Sequence, residues 1–461
     1  MNAPEPVLSN AQMRAAEKRL IDQGVSVDEL MSRAGKGAAE WIWRLAAGRD
    51  VTVLCGPGNN GGDGYVIAET LRRRGLKVRV VAPMPPTSSA ARNAAEKYKG
   101  EHAEPGCGGV FVDCLFGTGL RAPITEELEQ VLRKLLEQHG SSVAIDVPSG
   151  THSDSGALLN DGLGLYDLTL ALGAWKPAHW LMPSMAQMGE RRLVSIGALE
   201  EAATASLSQR PVLPTPTPFD HKYTRGLVAV VGGAMPGAAV LASEAAQRAG
   251  AGYTKLFMCD DLPSVSADIV AVRGPLVQQL ADDRIKAVLI GCGLGRDETA
   301  RARLREAIAS GHPLVLDADA LVLPSRADVG ALKQPTVLTP HAGELARLCT
   351  GFGIEAGDKV QQAQALAEVT GAVVLAKGYD TILTDGQRTR FFPPSSTWLS
   401  TAGTGDVLAG IVTSRLSQTN DPFRSAEEAV WLHGEAARLC RSPFTAGDLC
   451  RSITTAYGSF L

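Results

Sequence analysis

Two short stretches hold the residue types that chemistry needs. In TAGTGD, residues 401–406, Thr401, Gly403, Thr404 and Gly405 precede the apolar, helix-like run VLAGIVTSRL, and Asp406 stands where that helix should begin. A glycine-rich turn at a helix N-terminus points backbone N–H groups at an anion, and the helix dipole favours it. A phosphate is expected there, with Asp406 as a base that takes the proton from a hydroxyl being phosphorylated. The plainer reading of Asp406 is a helix N-cap. Far upstream, GPGNNGGDG, residues 56–64, follows the strand-like run VTVLCG but matches neither GxGxxG nor the P-loop. Asn59 and Asn60 are unusual in so tight a turn unless their amides bind something, and Asp63 could instead cap a helix beginning near Tyr65.

Other polar residues cluster at the ends of apolar runs. AKGYDT, Lys377 to Thr381, could set a lysine and backbone amides beside a nucleotide phosphate. In LTPHAGE, Glu344 could order a magnesium-bound water and His341 could hold a polar substrate, though each taken singly reads as a surface turn residue. GCGLG, Gly291 to Gly295, is a further close-approach loop. In the first half, VDCLFGTGLRAP sets Asp113 before a glycine turn, and AIDVPSGTHSDSG supplies Asp146 and Ser149. An asparagine carbonyl, a carboxylate and backbone oxygens suit a weakly dehydrating monovalent cation; carboxylates are too few for a strong calcium site.

The elements that must position these residues are short apolar strands alternating with amphipathic helices, in both halves of the chain. That grammar predicts α/β domains whose parallel sheets are covered on both faces, with ligands at the carboxyl ends of the strands. Residues 199–220 break the pattern, with four prolines between Pro211 and Pro218, and read as an interdomain linker. The expected division is a domain over 1–205, a proline-rich linker over 206–218 and a second domain over 219–461.

Composition excludes several function classes. Lysine and arginine (45) nearly balance aspartate and glutamate (49) over 461 residues, so no basic face argues for nucleic acid or anionic lipid. None of the eight cysteines forms a CxxC pair, and several lie in strand-like runs, as buried thiols of a reducing compartment do. The N-terminus lacks a secretory signal pattern, and no run of about 18 uncharged apolar residues occurs. A cytoplasmic protein without membrane or nucleic-acid partners is expected, self-associating through apolar sheet-edge and helix faces.

HKYTRG, GAAVLASEAAQRAGAG, GCGLG, LDADAL, TPHAGE, AKGYDT and TAGTGDVLAG follow one another in the order seen in the ribokinase-like NAD(P)HX dehydratases, which residues 215–461 therefore resemble. That family phosphorylates the hydroxyl added to a hydrated dihydronicotinamide ring and eliminates phosphate. The resemblance implies a ribokinase-like α/β domain in which Asp406 acts on that hydroxyl. Lys377, Gly378, Tyr379, Asp380, Thr381 and Gly405 would bind the nucleotide, with ADP favoured over ATP, and Ala239, Gly293 and His341 would line the hydrated-cofactor pocket. Cys292 stands where proline is common in GPGLG. Residues 1–205 resemble the NAD(P)HX epimerases through GPGNNGGDG, LMSRAG, VDCLFGTGLRAP, AIDVPSG and TLALGAWKP, with Ser32 replacing a common glutamate. This second resemblance implies a Rossmann-like three-layer parallel sheet. Asn59, Asn60, Gly61, Gly62 and Asp63 would grip the hydrated cofactor together with Gly117, Thr118, Gly119, Leu120, Arg121, Ala122 and Pro123. Asn60, Asp113 and Ser149 would hold potassium. Asp146 would meet the substrate ring, either moving a proton during epimerisation or hydrogen-bonding the ring carboxamide. The two alternatives to a bifunctional enzyme are a plain small-molecule kinase in the second half and a non-catalytic nucleotide-binding module in the first.

Overall fold

The computed structural model describes residues 5–197, 203–259, 264–323, 332–355 and 357–461, and the chain divides into two compact units, Met1–Leu207 and Ser208–Leu461.

In the first unit the strands are β1 (Val51–Cys55), β2 (Val78–Val81), β3 (Glu101–His102), β4 (Gly108–Cys114), β5 (His139–Ile145), β6 (Leu168–Leu172) and β7 (Glu190–Val194). They form one sheet in the order β3-β2-β1-β4-β5-β6-β7, and every pairing is parallel. β1 is buried along its whole length, which is why VTVLC shows no apolar–polar alternation. Val51, Val53 and Cys55 face one core with Ile42 and Ile67, whereas Leu54 faces a second core with Leu132 and Leu135. The helices are α1 (Asn10–Asp22), α2 (Val27–Ala46), α3 (Asn59–Arg73), α4 (Ser89–Lys97) and α5 (Glu126–Glu137). A short strand β8 (Ala205–Leu207) closes the unit against Glu5 and Val7. Because β2 and β4 flank β1, the chain reverses its direction of travel between β1 and β4, and the carboxyl ends there form the crevice where such sheets bind ligands.

α3 begins at Asn59, with Gly58 as an N-cap that makes no side-chain bond. Asp63 is therefore inside the helix and is not the cap of one starting near Tyr65. Glycines permit this early start. A Cβ on Gly61 would come within 1.8 Å of the Gly56 carbonyl oxygen, and one on Gly64 within 2.8 Å of the Cys55 sulfur. The helix thus lies directly on the strand tips.

In the second unit β9 (Leu227–Val231), β10 (Tyr253–Met258), β11 (Ile269–Arg273), β12 (Ile285–Ile290), β13 (Leu314–Leu316), β14 (Thr336–Leu338), β15 (Val373–Ala376), β16 (Ile382–Thr384) and β17 (Thr389–Phe391) pair in the order β11-β10-β9-β12-β13-β14-β15-β16-β17. The pairings are parallel up to β15 and antiparallel from β15 through β17. Its helices are α6 (Pro236–Arg248), α7 (Leu276–Leu280), α8 (Glu298–Ala309), α9 (Asp319–Val322), α10 (Ala342–Phe352), α11 (Lys359–Thr370), α12 (Thr404–Thr419), α13 (Pro422–Leu439) and α14 (Ala446–Gly458). α12 packs between α6 and α13 and is buried from Val407 to Ser417, so VLAGIVTSRL carries no polar stripe for solvent. Its one strong charge, Arg415, is fully buried and donates through Nε to Glu428 Oε2 at 2.8 Å.

The proline-rich segment differs from a solvated tether. Residues 208–217 carry no regular secondary structure, yet they are fastened to the second unit. The Leu213 side chain is buried in the main core, its N–H donates to the Phe460 carbonyl at 2.9 Å, and Ser208 is bonded to Glu427 and Trp431. Prolines keep this stretch extended without leaving backbone donors to satisfy.

All eight cysteines are free, and Cys55, Cys114, Cys292, Cys349 and Cys450 are buried. Among the described residues no helix is long and apolar enough to cross a membrane.

Replacing Gly61 by alanine drives a methyl group into a buried backbone carbonyl. We expect a loss of about 3 kcal/mol from the first unit, read as a lowered urea midpoint at unchanged slope. The same change at Gly58, which has open space around it, serves as control.

Candidate functional sites

At the carboxyl edge of the first sheet lies a cavity of about 920 Å³. Asn59, Asn60, Asp63, Asp146 and the whole loop from Phe116 through Gly117, Thr118, Gly119, Leu120, Arg121 and Ala122 to Pro123 line it. Gly61 and Gly62 do not. They are packing positions, the latter with Met31 so close that a Cβ would come within 2.5 Å of its methyl carbon.

Asp146 directly follows β5 in a left-handed conformation, φ 69°, unusual for a residue with a Cβ. Its N–H is held by the Leu170 carbonyl at 2.8 Å. Its Oδ1 accepts from the Leu172 N–H at 3.2 Å and from the Lys176 ammonium. Lys176 is 1% exposed and also donates to the Leu172 carbonyl at 2.7 Å. His179 braces the turn from behind: Nδ1 accepts from the Lys176 N–H at 2.9 Å, and Nε2 lies 2.6 Å from the Asp146 carbonyl oxygen. One tautomer serves both bonds, and burial pushes this imidazole down to about 4, so it is neutral.

Two further carboxyls face the same space. Burial raises Asp63 well above the usual carboxylate range, and Asp146 and Glu17 add to the effect. Glu17 is raised as well, by burial and then by Asp146. Glu17 comes from α1, which presents Asn10, Met13, Arg14, Glu17 and Ile21 to the cavity. Sequence reasoning assigned no role to α1 or to Lys176. The helical spacing of those five residues is the signal that could have drawn attention to α1.

Asp113, at the tip of β4, is fully buried. Its carboxylate accepts from the Leu115 N–H (3.0 Å), the Ser149 N–H (3.0 Å), the Ser149 hydroxyl (2.8 Å) and the Tyr166 hydroxyl (2.6 Å). Burial raises its pKa, and these four bonds oppose the rise. Nearby, Asn60 keeps a buried Nδ2 with no partner among the described residues. Arg121 is tied to His152 Nε2 at 2.7 Å.

In the second unit a cavity of about 290 Å³ is lined by Lys377, Gly378, Tyr379, Thr381, Thr404 and Gly405 among others. The 377–381 turn is closed by the Thr381 hydroxyl on the Gly378 carbonyl at 2.7 Å. The Asp380 side chain does not line the cavity; its carboxylate binds Lys359 at 2.6 Å. Behind this wall Lys377 Nζ donates to Asp317 Oδ1 at 2.7 Å, and the Thr339 hydroxyl donates to the same oxygen at 2.7 Å. Burial alone would lower the lysine, but Asp317 outweighs it and the net shift is upward.

Asp406 is the third residue of α12, and the N-cap is Gly403 at φ 90°, so Asp406 is not the cap. Its carboxylate, the Asp317 carboxylate and the Cys292 sulfur lie within 4.8 Å of one another. Asp406 is pushed up to about 6, chiefly by burial, with Cys292 and Lys377 opposing and Asp317 reinforcing the rise. Asp317 lies in the LDADAL run, but sequence reasoning gave it no role, and it passed over His433 entirely. His433 lines the cavity, contacts the Thr404 carbonyl at 3.0 Å and is held neutral by burial, near 4.

The remaining expected ligands are not gathered around this cavity. Ala239 is fully buried in the core of the unit. Gly293, at φ 65°, packs on the Met235 carbonyl. His341 caps α10: Nδ1 accepts from the Gly343 and Glu344 N–H groups at 3.0 and 3.2 Å, and Glu344 Oε2 accepts in return from the His341 N–H at 2.9 Å.

A family model described as NAD(P)H-hydrate dehydratase matches residues 228–457, and one described as YjeF-related protein N-terminus matches residues 27–178. The bifunctional NAD(P)H-hydrate repair enzyme Nnr of Thermosynechococcus vestitus is 31% identical, over 94% of this chain and 92% of its own. That of Salinibacter ruber is 33% identical over 94% and 91%. The chain belongs to the bifunctional NAD(P)H-hydrate repair enzymes. Among solved structures, an ADP/ATP-dependent NAD(P)H-hydrate dehydratase from Bacillus subtilis is 26% identical, with a TM-score of 0.47 over 54% of this chain and 95% of its own. Within this repair-enzyme chain the two family matches fall in separate units.

The raised pKa of Asp406 has a stability consequence. Unfolded, the carboxyl ionises near 3.8; folded, near 6. The folded state binds more protons between these values, so stability falls as pH rises through that window and stays lower above it. Asp406→Asn should therefore melt higher than wild type at pH 7.5, by an amount on the order of 1 kcal/mol after allowing for solvent screening. The gain should vanish below about pH 4. Thermal unfolding at the two pH values checks both.

Proposed function

We propose that the first unit epimerises the R and S forms of hydrated NADH and NADPH, and that the second dehydrates the S form with ADP, giving AMP and phosphate. The observation that carries the reading is the pairing, in one chain, of two family matches with two cavities, each beside a lysine–aspartate pair at the carboxyl ends of parallel strands.

In the second unit Asp406 accepts the proton of the ring hydroxyl as its oxygen attacks the terminal phosphorus of ADP and AMP departs. Inorganic phosphate then leaves the ester with the C–O electron pair, and the neighbouring carbon loses a proton to restore the ring double bond. A carboxyl poised near 6 is ionised at neutral pH yet basic enough to help. Lys377, the amides of Gly378, Tyr379 and Gly405 and the Thr381 turn hold the nucleotide, with Asp380 closing that turn through Lys359. The hydrated ring lies toward Ala239, Gly293 and His341. Magnesium enters with the diphosphate; the Glu344 carboxylate already serves the α10 cap, so its contact with the ion fits through water and not by direct ligation.

In the first unit the Asn59–Asp63 turn, of which Gly61 and Gly62 form the backbone, and the Gly117–Pro123 loop grip the dinucleotide, with Asp146 at its ring. Potassium at Asn60, Asp113 and Ser149 is supported by the fully buried Asp113 carboxylate, whose charge a cation would offset; the Asn60 amide would have to turn its oxygen to the ion, because the Nδ2 end that lacks a partner is a donor. Held there, the cation would supply positive charge that steadies the loop following β4. The setting is the cytoplasm.

Recovery of dihydronicotinamide absorbance from an epimer mixture of hydrated NADH tests the reading, with ADP and ATP supplied in parallel. Wild type should recover the full amount, fastest with ADP and releasing phosphate, with an ascending limb of kcat/KM near pH 6. Asp406→Asn should lose at least about 100-fold, and Asp146→Ala should stall once the S form is consumed. Accumulation of a stable phosphorylated product would instead identify an ordinary kinase.

A further inference from the structure

Lys176 has a donor left over. An ammonium carries three N–H groups and no acceptor. One is bound by Asp146 Oδ1 and one by the Leu172 carbonyl at 2.7 Å. The side chain is 1% exposed, so bulk water does not take the third, yet Lys176 belongs to the wall of the 920 Å³ cavity. A buried ion pair needed only for stability is easily replaced by apolar side chains, often without loss. Here the lysine instead occupies the floor of a cavity, beside an aspartate held in a left-handed turn and braced by a neutral histidine. The other ionisable groups turned toward this pair are Glu17 and Arg14 from α1 and Asp63 from α3. Asp146 and Lys176 thus form an ion pair in the cavity wall, with one lysine N–H committed to neither Asp146 nor the Leu172 carbonyl.

We infer that Lys176 is a substrate-contacting residue of the first site: it orients the Asp146 carboxylate with one N–H and donates another to an oxygen on the hydrated ring lying against Asp146. This rests on the epimerase reading above. Lys176 acts through this hydrogen bond, which strengthens as negative charge gathers on that oxygen, and this places its effect in kcat. Arginine is not an equivalent, because its planar fork cannot reproduce three divergent donors in a closed space.

The test uses the full chain and hydrated NADH with ADP. The S form is consumed by the second unit, so the initial phase of recovery reports an intact chain and the later phase reports epimerisation. For Lys176→Ala we expect the initial phase unchanged, the later phase slowed about 100-fold or more in kcat and KM within threefold. Added butylamine should restore part of the lost rate by supplying an ammonium in the vacated space, and butanol should not. Because Lys176→Ala strands a buried carboxylate, the double variant Lys176→Met, Asp146→Asn provides a folded reference, expected to melt close to wild type and to lack the later phase. Epimerisation by Lys176→Ala within threefold of wild type overturns the inference. So does a butylamine effect that raises the melting temperature of Lys176→Ala but not its rate. A wild-type chain that never completes recovery overturns the epimerase reading itself, a distinct result.

Discussion

A charge cannot be buried without a partner, and in both halves of this chain that constraint assembles the site. Lys176 pairs with Asp146 across the tips of β5 and β6, and Lys377 pairs with Asp317 across the tips of β13 and β15. Each pair satisfies one carboxylate and leaves another acid beside it without a cation of its own. Desolvation then raises that second acid: Asp63 in one unit, Asp406 in the other. The same electrostatic arrangement thus appears on two different sheets, one parallel throughout and one ending in antiparallel strands. Glycines complete it. Gly61 and Gly64 let a helix start directly on the strands in the first unit, and Gly403 does the corresponding work at α12 in the second.

The legible part of the function was local in sequence. Asp406, Asp146, Asn59 to Asp63 and Lys377 to Thr381 each lie in short glycine-bearing runs after an apolar strand, and the alternation of those strands with helices was enough to anticipate two α/β units. What escaped was contributed across long separations. Lys176 meets Asp146 thirty residues away, and Lys377 meets Asp317 at twice that distance. Glu17 and Arg14 reach the first cavity from a helix that precedes the whole sheet. His433 sits on an ordinary helical stripe, with nothing in its neighbours to mark it.

Local geometry departed from expectation where two readings of one residue type compete. NNGGDG has poor intrinsic helix propensity, yet it forms the first turn of α3 because close backbone approach decides the matter. His341 and Glu344, three apart after a strand, are equally the signature of a capping box, and the backbone N–H groups of α10 engage both side chains. Asp406, expected at a helix start, is the third residue of α12, whose cap is Gly403 with positive φ.

The proline-rich stretch reads in sequence as an interdomain linker, and the two units do divide within it, between Leu207 and Ser208. Its side chains add a second role: Leu213 belongs to the core that α12 and α14 share, and Arg210 lies over the Phe460 ring at 4.0 Å. The joint between the two halves is therefore a staple as well as a connection. Anyone separating the halves by recombination should cut on the amino side of Ser208. A cut at residue 219, where the regular elements resume, would discard a strap that the second core uses as its own.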